Sequence, residues 1–138
     1  MNASTIHMFL GPDPKAPSRA RRAIRGELGP VLEGELLERA TLLVSELVTN
    51  SVRHASLRPD QEIELTVRLL PQGLRVEVAE PGGGFEPAAE PVPHRDGPGG
   101  TATGGWGLML VDRLSTAWGV ERDGLTKVWF EMAEAAPG

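Results

Sequence analysis

The chain has 138 residues, of which 40% are hydrophobic and none is cysteine, and its formal net charge at neutral pH is −5. This composition excludes a disulfide scaffold and cysteine-ligated zinc, and the hydrophobic content argues against a wholly disordered protein. The acidic balance provides no general attraction to nucleic acid or to anionic lipid.

The length predicts one domain over residues 1–138, because a chain of this size can bury one core but not two. No apolar run approaches the roughly 20 residues that cross a bilayer. The N-terminal segment has neither a basic start nor an apolar signal core. We therefore expect a soluble cytoplasmic protein that contacts neither membrane nor nucleic acid directly.

The first half of the chain predicts a strand, two helices and a hairpin. Residues 5–10 predict a strand, and a helix that begins at Pro17 should end near Gly29 and Pro30. Apolar residues recur at three- and four-residue spacing over 35–55, which predicts a long amphipathic helix. Residues 62–70 and 74–79 alternate apolar and polar side chains, as in a hairpin with one face on the core.

The second half begins with a stretch rich in proline and glycine, residues 86–104, which is typical of a lid or a long loop. Residues 108–116 predict a third helix. Two further strands, 118–122 and 126–132, should join across Asp123 and Gly124, and a flexible tail should follow from 133 to 138. This order predicts an α+β two-layer sandwich, with a mostly antiparallel sheet and about three helices on one face.

Glu46 and Asn50 are four residues apart in the long helix, so both side chains leave one face, and His54 continues that line. An amide oxygen is a hard ligand that suits Mg²⁺, and a glutamate ionised at neutral pH can accept a proton. The alternative is an ordinary exposed Glu–Asn pair, with His54 as a cation near a helix C-terminus.

Glycines form two further motifs. Gly82, Gly83 and Gly84 follow a strand that ends at Glu80, where bare backbone admits a planar ligand and the carboxylate can accept a hydrogen bond from an amine such as that of adenine. Residues 104–108, Gly-Gly-Trp-Gly-Leu, lead into a helix whose free N–H groups suit phosphate. A glycine-rich turn and a plain loop-to-helix junction are the alternatives. A common P-loop is excluded because its lysine motif is missing.

In this order the motifs resemble a known superfamily. Residues 44–55 (VSELVTNSVRHA) look like the N box of the gyrase, heat-shock chaperone, histidine kinase and mismatch-repair ATPases, and residues 80–84 and 105–108 look like their two glycine boxes. The likeness spans about 5–132 and implies the Bergerat ATP-binding fold. The helix motif and the ending over 118–131 resemble bacterial anti-sigma-factor serine/threonine kinases.

The resemblance implies a role for each motif residue. Asn50 would coordinate Mg²⁺, and Glu46 would act as base toward a serine hydroxyl of a protein substrate. Residues 85–104 would form the ATP lid. The other implied nucleotide contacts are Arg53 and His54 near the phosphates, Gly82 and Gly84 around adenine, Gly105, Gly107 and the N–H of Leu108 at the phosphates, and Thr126 supporting the adenine-binding acid.

One residue departs from the family, which has aspartate where this chain has Glu80. The extra methylene predicts that ATP still binds, but more weakly.

The resemblance implies a homodimer that binds a sigma factor and phosphorylates an anti-anti-sigma antagonist. One alternative is a nucleotide-gated partner-switch protein with little kinase activity. A detached ATP-binding domain of a histidine kinase is disfavoured, because no two-helix dimerisation region precedes these motifs. Arg19, Arg21, Arg22 and Arg25 form a basic cluster that is either a solvated helix face or a contact for phosphate or an acidic partner.

Overall fold

A five-stranded sheet with the strand order β1-β2-β3-β5-β4 forms one layer of the molecule, and all its neighbouring strands are antiparallel. The computed structural model describes residues 4–32, 34–54, 57–81 and 105–133. Helices cover one face of the sheet, so the predicted α+β two-layer sandwich is confirmed. The elements in chain order are β1 (Ser4–Leu10), α1 (Ala16–Leu28), α2 (Gly34–His54), β2 (Ile63–Leu70), β3 (Gly73–Glu80), α3 (Gly105–Leu114), β4 (Ala117–Arg122) and β5 (Thr126–Ala133).

The core lies between the sheet and the helices. Alternate residues of the central strands point to it, as the sequence pattern predicted, and a stripe of α2 faces them. Each large apolar side chain that is fully buried contributes about 1.5–3 kcal/mol. The buried residues of α2 are Leu36, Ala40, Leu43, Val44, Leu47 and Val48, and those of the central strands include Ile63, Leu65, Val67, Leu74, Val76, Val78, Val128 and Phe130.

Helix α1 packs beside α2 through residues spaced four apart. Its buried side chains are Ala16, Ala20, Ile24 and Leu28, which form one narrow stripe. The predicted start near Pro17 and stop at Gly29 are confirmed, since Pro17 lies in the first turn and the Gly29 N–H donates to the Arg25 carbonyl. Within the described part of the chain, no helix is both long enough and apolar enough to cross a membrane.

The bounds of α3 differ from the prediction of 108–116. The helix begins at Gly105 and ends at Leu114, so the glycines form its first turn. It stops early because the N–H and hydroxyl of Thr116 both donate to the Glu131 carbonyl of β5, at 2.8 and 2.9 Å. The chain is thereby drawn into the sheet before another helical turn can form.

Two glycines shape the hairpins. Gly124 lies in the β4–β5 connection with φ of +91°, a conformation that favours glycine and that the Asp-Gly pair predicted. Gly73 begins β3 where β5 approaches closely, since a Cβ there would lie 1.9 Å from the Met132 carbonyl oxygen. No larger residue fits at position 73 without moving one of the two strands.

The face of the sheet opposite the helices carries a network of charges centred on Arg75. Its guanidinium donates to Glu77 at 3.0 Å and to Glu131 at 2.9 Å, and lies 4.3 Å from the ring centre of Trp129. Burial alone would raise the pKa of Glu77, but the hydrogen bond from Arg75 and the charges of Lys127, Arg75 and Arg68 outweigh it, so the pKa is lowered.

We expect Glu77→Gln to lower the free energy of unfolding by about 1 kcal/mol at neutral pH, because a charge-assisted hydrogen bond at a partly exposed site is lost. The pKa of Glu77 is lower in the folded state than the unfolded value near 4.5, so its charged form stabilises the fold at pH values above 4.5. This stabilisation is lost as the pH falls through the pKa of the folded state. Urea unfolding of both proteins from neutral to acid pH tests this. Glu62→Gln, an exposed matched control, should change nothing. A deficit that is the same at every pH would contradict the prediction.

Candidate functional site

The predicted site residues of α2 lie beside its buried stripe. Asn50 is 7% exposed and its neighbour Ser51 is 4% exposed, so both polar side chains are enclosed near the C-terminal end of the helix. Glu46, one turn earlier, is half-buried. The helix therefore presents a carboxylate and a carboxamide together at the edge of the core, as the four-residue spacing predicted.

The Asn50 amide nitrogen is buried and has no hydrogen-bond partner among the described residues. An unsatisfied buried donor costs about 1–3 kcal/mol, so such a group needs a particular reason to be retained. A phosphate oxygen is a suitable acceptor for this N–H, and the amide oxygen is the hard ligand type that Mg²⁺ prefers. The side chain thus fits a metal-bound phosphate chain.

The pairing of β3 with β5 brings two further polar residues together. Glu80, the last residue of β3, pairs with Thr126, the first residue of β5, and their side chains are 3% and 5% exposed. Both lie on the helix-facing side of the sheet, because they continue the alternation of Val78 and Val128. Since α2 packs against both strands, this pair lies in the same layer interface as Asn50.

Helix α3 packs against α2 and places its first turn at residues 105–108, which include the predicted phosphate contacts Gly105, Gly107 and Leu108. The first N–H groups of a helix have no partner within it, and together they favour an anion. Val111, one turn later, is fully buried and anchors the helix to the core. The sequence had placed these glycines before the helix, whereas they form its start.

The remaining predicted residues lie either at the end of α2 or outside the described part of the chain. Arg53 is exposed and His54 is the last residue of α2, which places both at the end of that helix. Gly82, Gly84 and the predicted lid over 85–104 lie outside the described residues. Among the residues that the structure describes, no three His, Asp or Glu side chains are close enough to hold a metal ion.

Arg122 was not among the residues predicted for the site. It pairs with Thr126 in the neighbouring strand, so a cation lies beside the polar pair at the end of β4. Counting the register outward from the Asp123-Gly124 hairpin would have placed it there, because residues directly opposite each other share a face of the sheet.

The family of histidine kinase-like ATPase domains matches the chain over residues 11–132. The chain belongs to this family. Membership implies a nucleotide site, and a helix that starts at glycines, a buried amide and a buried acid are compatible with one. A search of curated proteins finds no match.

The fold agrees with a solved structure of the RsbU and RsbW domains of Rv1364c from Mycobacterium tuberculosis. The TM-score is 0.73 at 17% sequence identity, with 99% of this chain covered. The chain spans only 34% of that longer one. At this identity the likeness shows a common fold.

We expect Asn50→Leu to raise the free energy of unfolding without nucleotide by about 1 kcal/mol, because it removes a buried donor that lacks a partner. The same change should abolish binding of ATP with Mg²⁺. Thermal unfolding and isothermal titration measure the two effects. Thr41→Val is the matched control on the same helix, since its buried hydroxyl is satisfied by the Leu37 carbonyl at 2.7 Å. It should keep ATP binding and gain no stability. Loss of stability in Asn50→Leu would show that the amide has a structural partner.

Proposed function

We propose that the protein is an ATP- and Mg²⁺-dependent serine/threonine kinase that binds a sigma factor and phosphorylates a serine on an anti-anti-sigma antagonist. The observation that carries this is the buried Asn50 amide, without a partner among the described residues, one turn from the half-buried Glu46. The helix and C-terminal motifs over 44–55 and 118–131 support the kinase subgroup within the ATPase family.

In this proposal adenine lies at the end of β3. The Glu80 carboxylate accepts a hydrogen bond from the exocyclic amine, and Thr126, paired with it across the sheet, supports that carboxylate. The low exposure of both residues favours this role, because an amine–carboxylate hydrogen bond is stronger where water is excluded. Gly82 and Gly84 would line the ring.

The phosphates would extend from there toward α3. The N–H groups of Gly105, Gly107 and Leu108 donate to them at the helix N-terminus, and Arg53 and His54 add cationic or hydrogen-bonding groups from the end of α2. Mg²⁺, when bound, neutralises charge on the phosphate oxygens. Asn50 would hold it through its amide oxygen, and residues 85–104 would cover the site.

The phosphoryl step then needs one base. Glu46 accepts the proton of the substrate serine hydroxyl while the serine oxygen forms a bond to the γ-phosphorus. The bond from that phosphorus to the bridging oxygen breaks, and ADP leaves with the electron pair. Positioning and charge neutralisation account for most of the catalysis in such transfers, so a single carboxylate on a rigid helix is sufficient chemistry.

A second candidate is a nucleotide-gated partner-switch protein with little kinase activity. Glu80 favours it, because the longer side chain stands where the subgroup has aspartate and changes the distance between the carboxylate and the base. The same sigma factor and antagonist would bind, as partners of a homodimer, but the nucleotide would act as a ligand only.

We expect Glu46→Gln to reduce phosphoryl transfer about 100-fold or more while ATP binding is kept, because the amide cannot accept the proton. Labelled ATP with purified candidate antagonists measures transfer, and titration measures binding. Glu38→Gln, an exposed glutamate two turns earlier on α2, is the matched control and should retain both. Unchanged transfer in Glu46→Gln would exclude this residue as the base. Saturable ATP binding without transfer in the parent protein would favour the partner-switch alternative.

We expect Glu80→Asp to bind ATP about three- to ten-fold more tightly than the parent, a gain of about 1 kcal/mol from a shorter acid at the adenine amine. Glu80→Leu should lose measurable binding. Titrations with ATP and GTP report affinity and base selectivity together. Tighter binding by the parent than by Glu80→Asp would mean that the pocket is adapted to glutamate.

A further inference from the structure

The arginine cluster of α1 lies on a surface that the nucleotide site does not use. Helix α1 holds Arg19, Arg21, Arg22 and Arg25 against the single acid Glu27, in a chain whose net charge is −5. The opposite side of the helix is buried against α2 and β1, so the arginines lie on its solvent side. This is a local concentration of positive charge on an acidic protein.

Two of these arginines reach α2. Arg21 donates from Nη1 to the Ser45 hydroxyl at 3.0 Å, and Arg25 Nη2 lies 3.9 Å from the Glu38 carboxylate. The second contact is weak, because both of its side chains are more than half exposed. Arg19 pairs with Asp13 at 3.5 Å, whereas Arg22 has no ion pair or hydrogen bond from its side chain within the described part of the chain. Arg21 and Arg22 therefore keep their positive charge without an acidic partner among the described residues.

Leu42 lies on α2 between Glu38 and Ser45, the two residues that the arginines of α1 contact. It follows Glu38 by four residues and precedes Ser45 by three, so it shares a side of the helix with both arginine contacts. Its side chain is 41% exposed, whereas the other exposed side chains described on α2 are charged. A single exposed leucine is common on protein surfaces. An exposed leucine between cations from a neighbouring helix forms an amphipathic contact surface.

This surface lies close to Glu46, the proposed catalytic base. Glu46 follows Leu42 by one helical turn, about 6 Å along the axis. A chain segment that contacts Leu42 therefore has its neighbouring residues beside the proposed base.

We propose that Arg21, Arg22, Arg25 and Leu42 form a docking surface for the protein substrate, and that it binds an acidic segment carrying an apolar side chain. This inference rests on the proposed kinase function and names how its substrate is recognised. Charge complementarity supports an acidic occupant, since the surface holds three arginines and, among the described residues, only Arg25 has an acidic partner, at 3.9 Å.

The test uses two short fluorescent peptides, one with leucines among aspartates and glutamates and one in which lysines replace the acids. The parent should bind the acidic peptide and not the basic one, and binding should weaken as salt is added. Arg22→Glu should reduce affinity about ten-fold and Leu42→Ser about three-fold, as measured by fluorescence anisotropy.

Matched controls separate the surface from general effects. Arg68→Glu makes the same charge change on an exposed arginine of β2, on the opposite face of the sheet, and Leu125→Ser removes a leucine that is 42% exposed in the β4–β5 connection. Both should bind the peptide as the parent does, and circular dichroism should show all variants folded. Failure of the parent to bind, or equal losses in the controls, would overturn the docking surface.

Titration of the same samples with ATP keeps the two proposals apart. Peptide binding that follows the predicted pattern in a protein that does not bind ATP would reject the kinase function and leave the surface. Normal ATP binding with no peptide binding would reject the surface and leave the kinase.

Discussion

The packing of α2 on the centre of the sheet is the constraint from which the rest of the structure follows. Its apolar stripe, which includes Leu43, Val44 and Leu47, can meet the strands in only one rotation of the helix, because a turn of one residue, about 100°, would expose it. With that rotation fixed, Glu46 and Asn50 come to the edge of the core while Leu42 and Ser45 come to the side of α1. The burial of this apolar stripe therefore determines where the proposed base, the proposed metal ligand and the proposed docking surface lie, although none of their side chains belongs to the stripe.

The other part of the candidate site, Glu80 and Thr126, depends on the register of the strands. Glu80 and Thr126 face the helices only because β3 and β5 are paired as they are, and a slip of one residue would turn Ala79 or Lys127 inward instead. Gly73 helps to fix that pairing at the far end of β3, where its missing side chain lets the Met132 carbonyl approach. The charge network around Arg75 joins the same strands on the opposite face, so the register is held from both sides of the sheet.

Local patterns predicted most of the fold. The period of α2, the alternation of β2 and β3 and the Asp123-Gly124 turn depend on neighbouring residues, and each was found where expected. The start of α3 was misplaced because glycine is a poor helix former, and only packing on α2 explains why Gly105 and Gly107 are helical. The position of Arg122 beside Thr126 follows from the register of the local β4–β5 hairpin, whereas the bond from Arg21 to Ser45 depends on packing between two helices, which no local period contains. The candidate site rests on the resemblance of three motifs rather than on periodicity, and the roles of its residues stay predictions.

The position of α2 also joins the two proposed binding events. Asn50 of this helix is enclosed in a largely apolar interface, and its amide nitrogen has no hydrogen-bond partner among the described residues, so it weakens the packing until a ligand accepts its hydrogen bond. A nucleotide that binds only the folded form therefore stabilises the contact of α2 with the sheet. The docking surface consists of side chains on α1 and on the outer side of the same α2. Any effect of the nucleotide on the relative position of these helices must change affinity for the acidic segment, and by thermodynamic linkage the segment must change affinity for the nucleotide by the same factor. Helix α2 carries residues of both proposed sites, so it connects them directly: a bound nucleotide can change affinity for the protein segment through the position of this one helix.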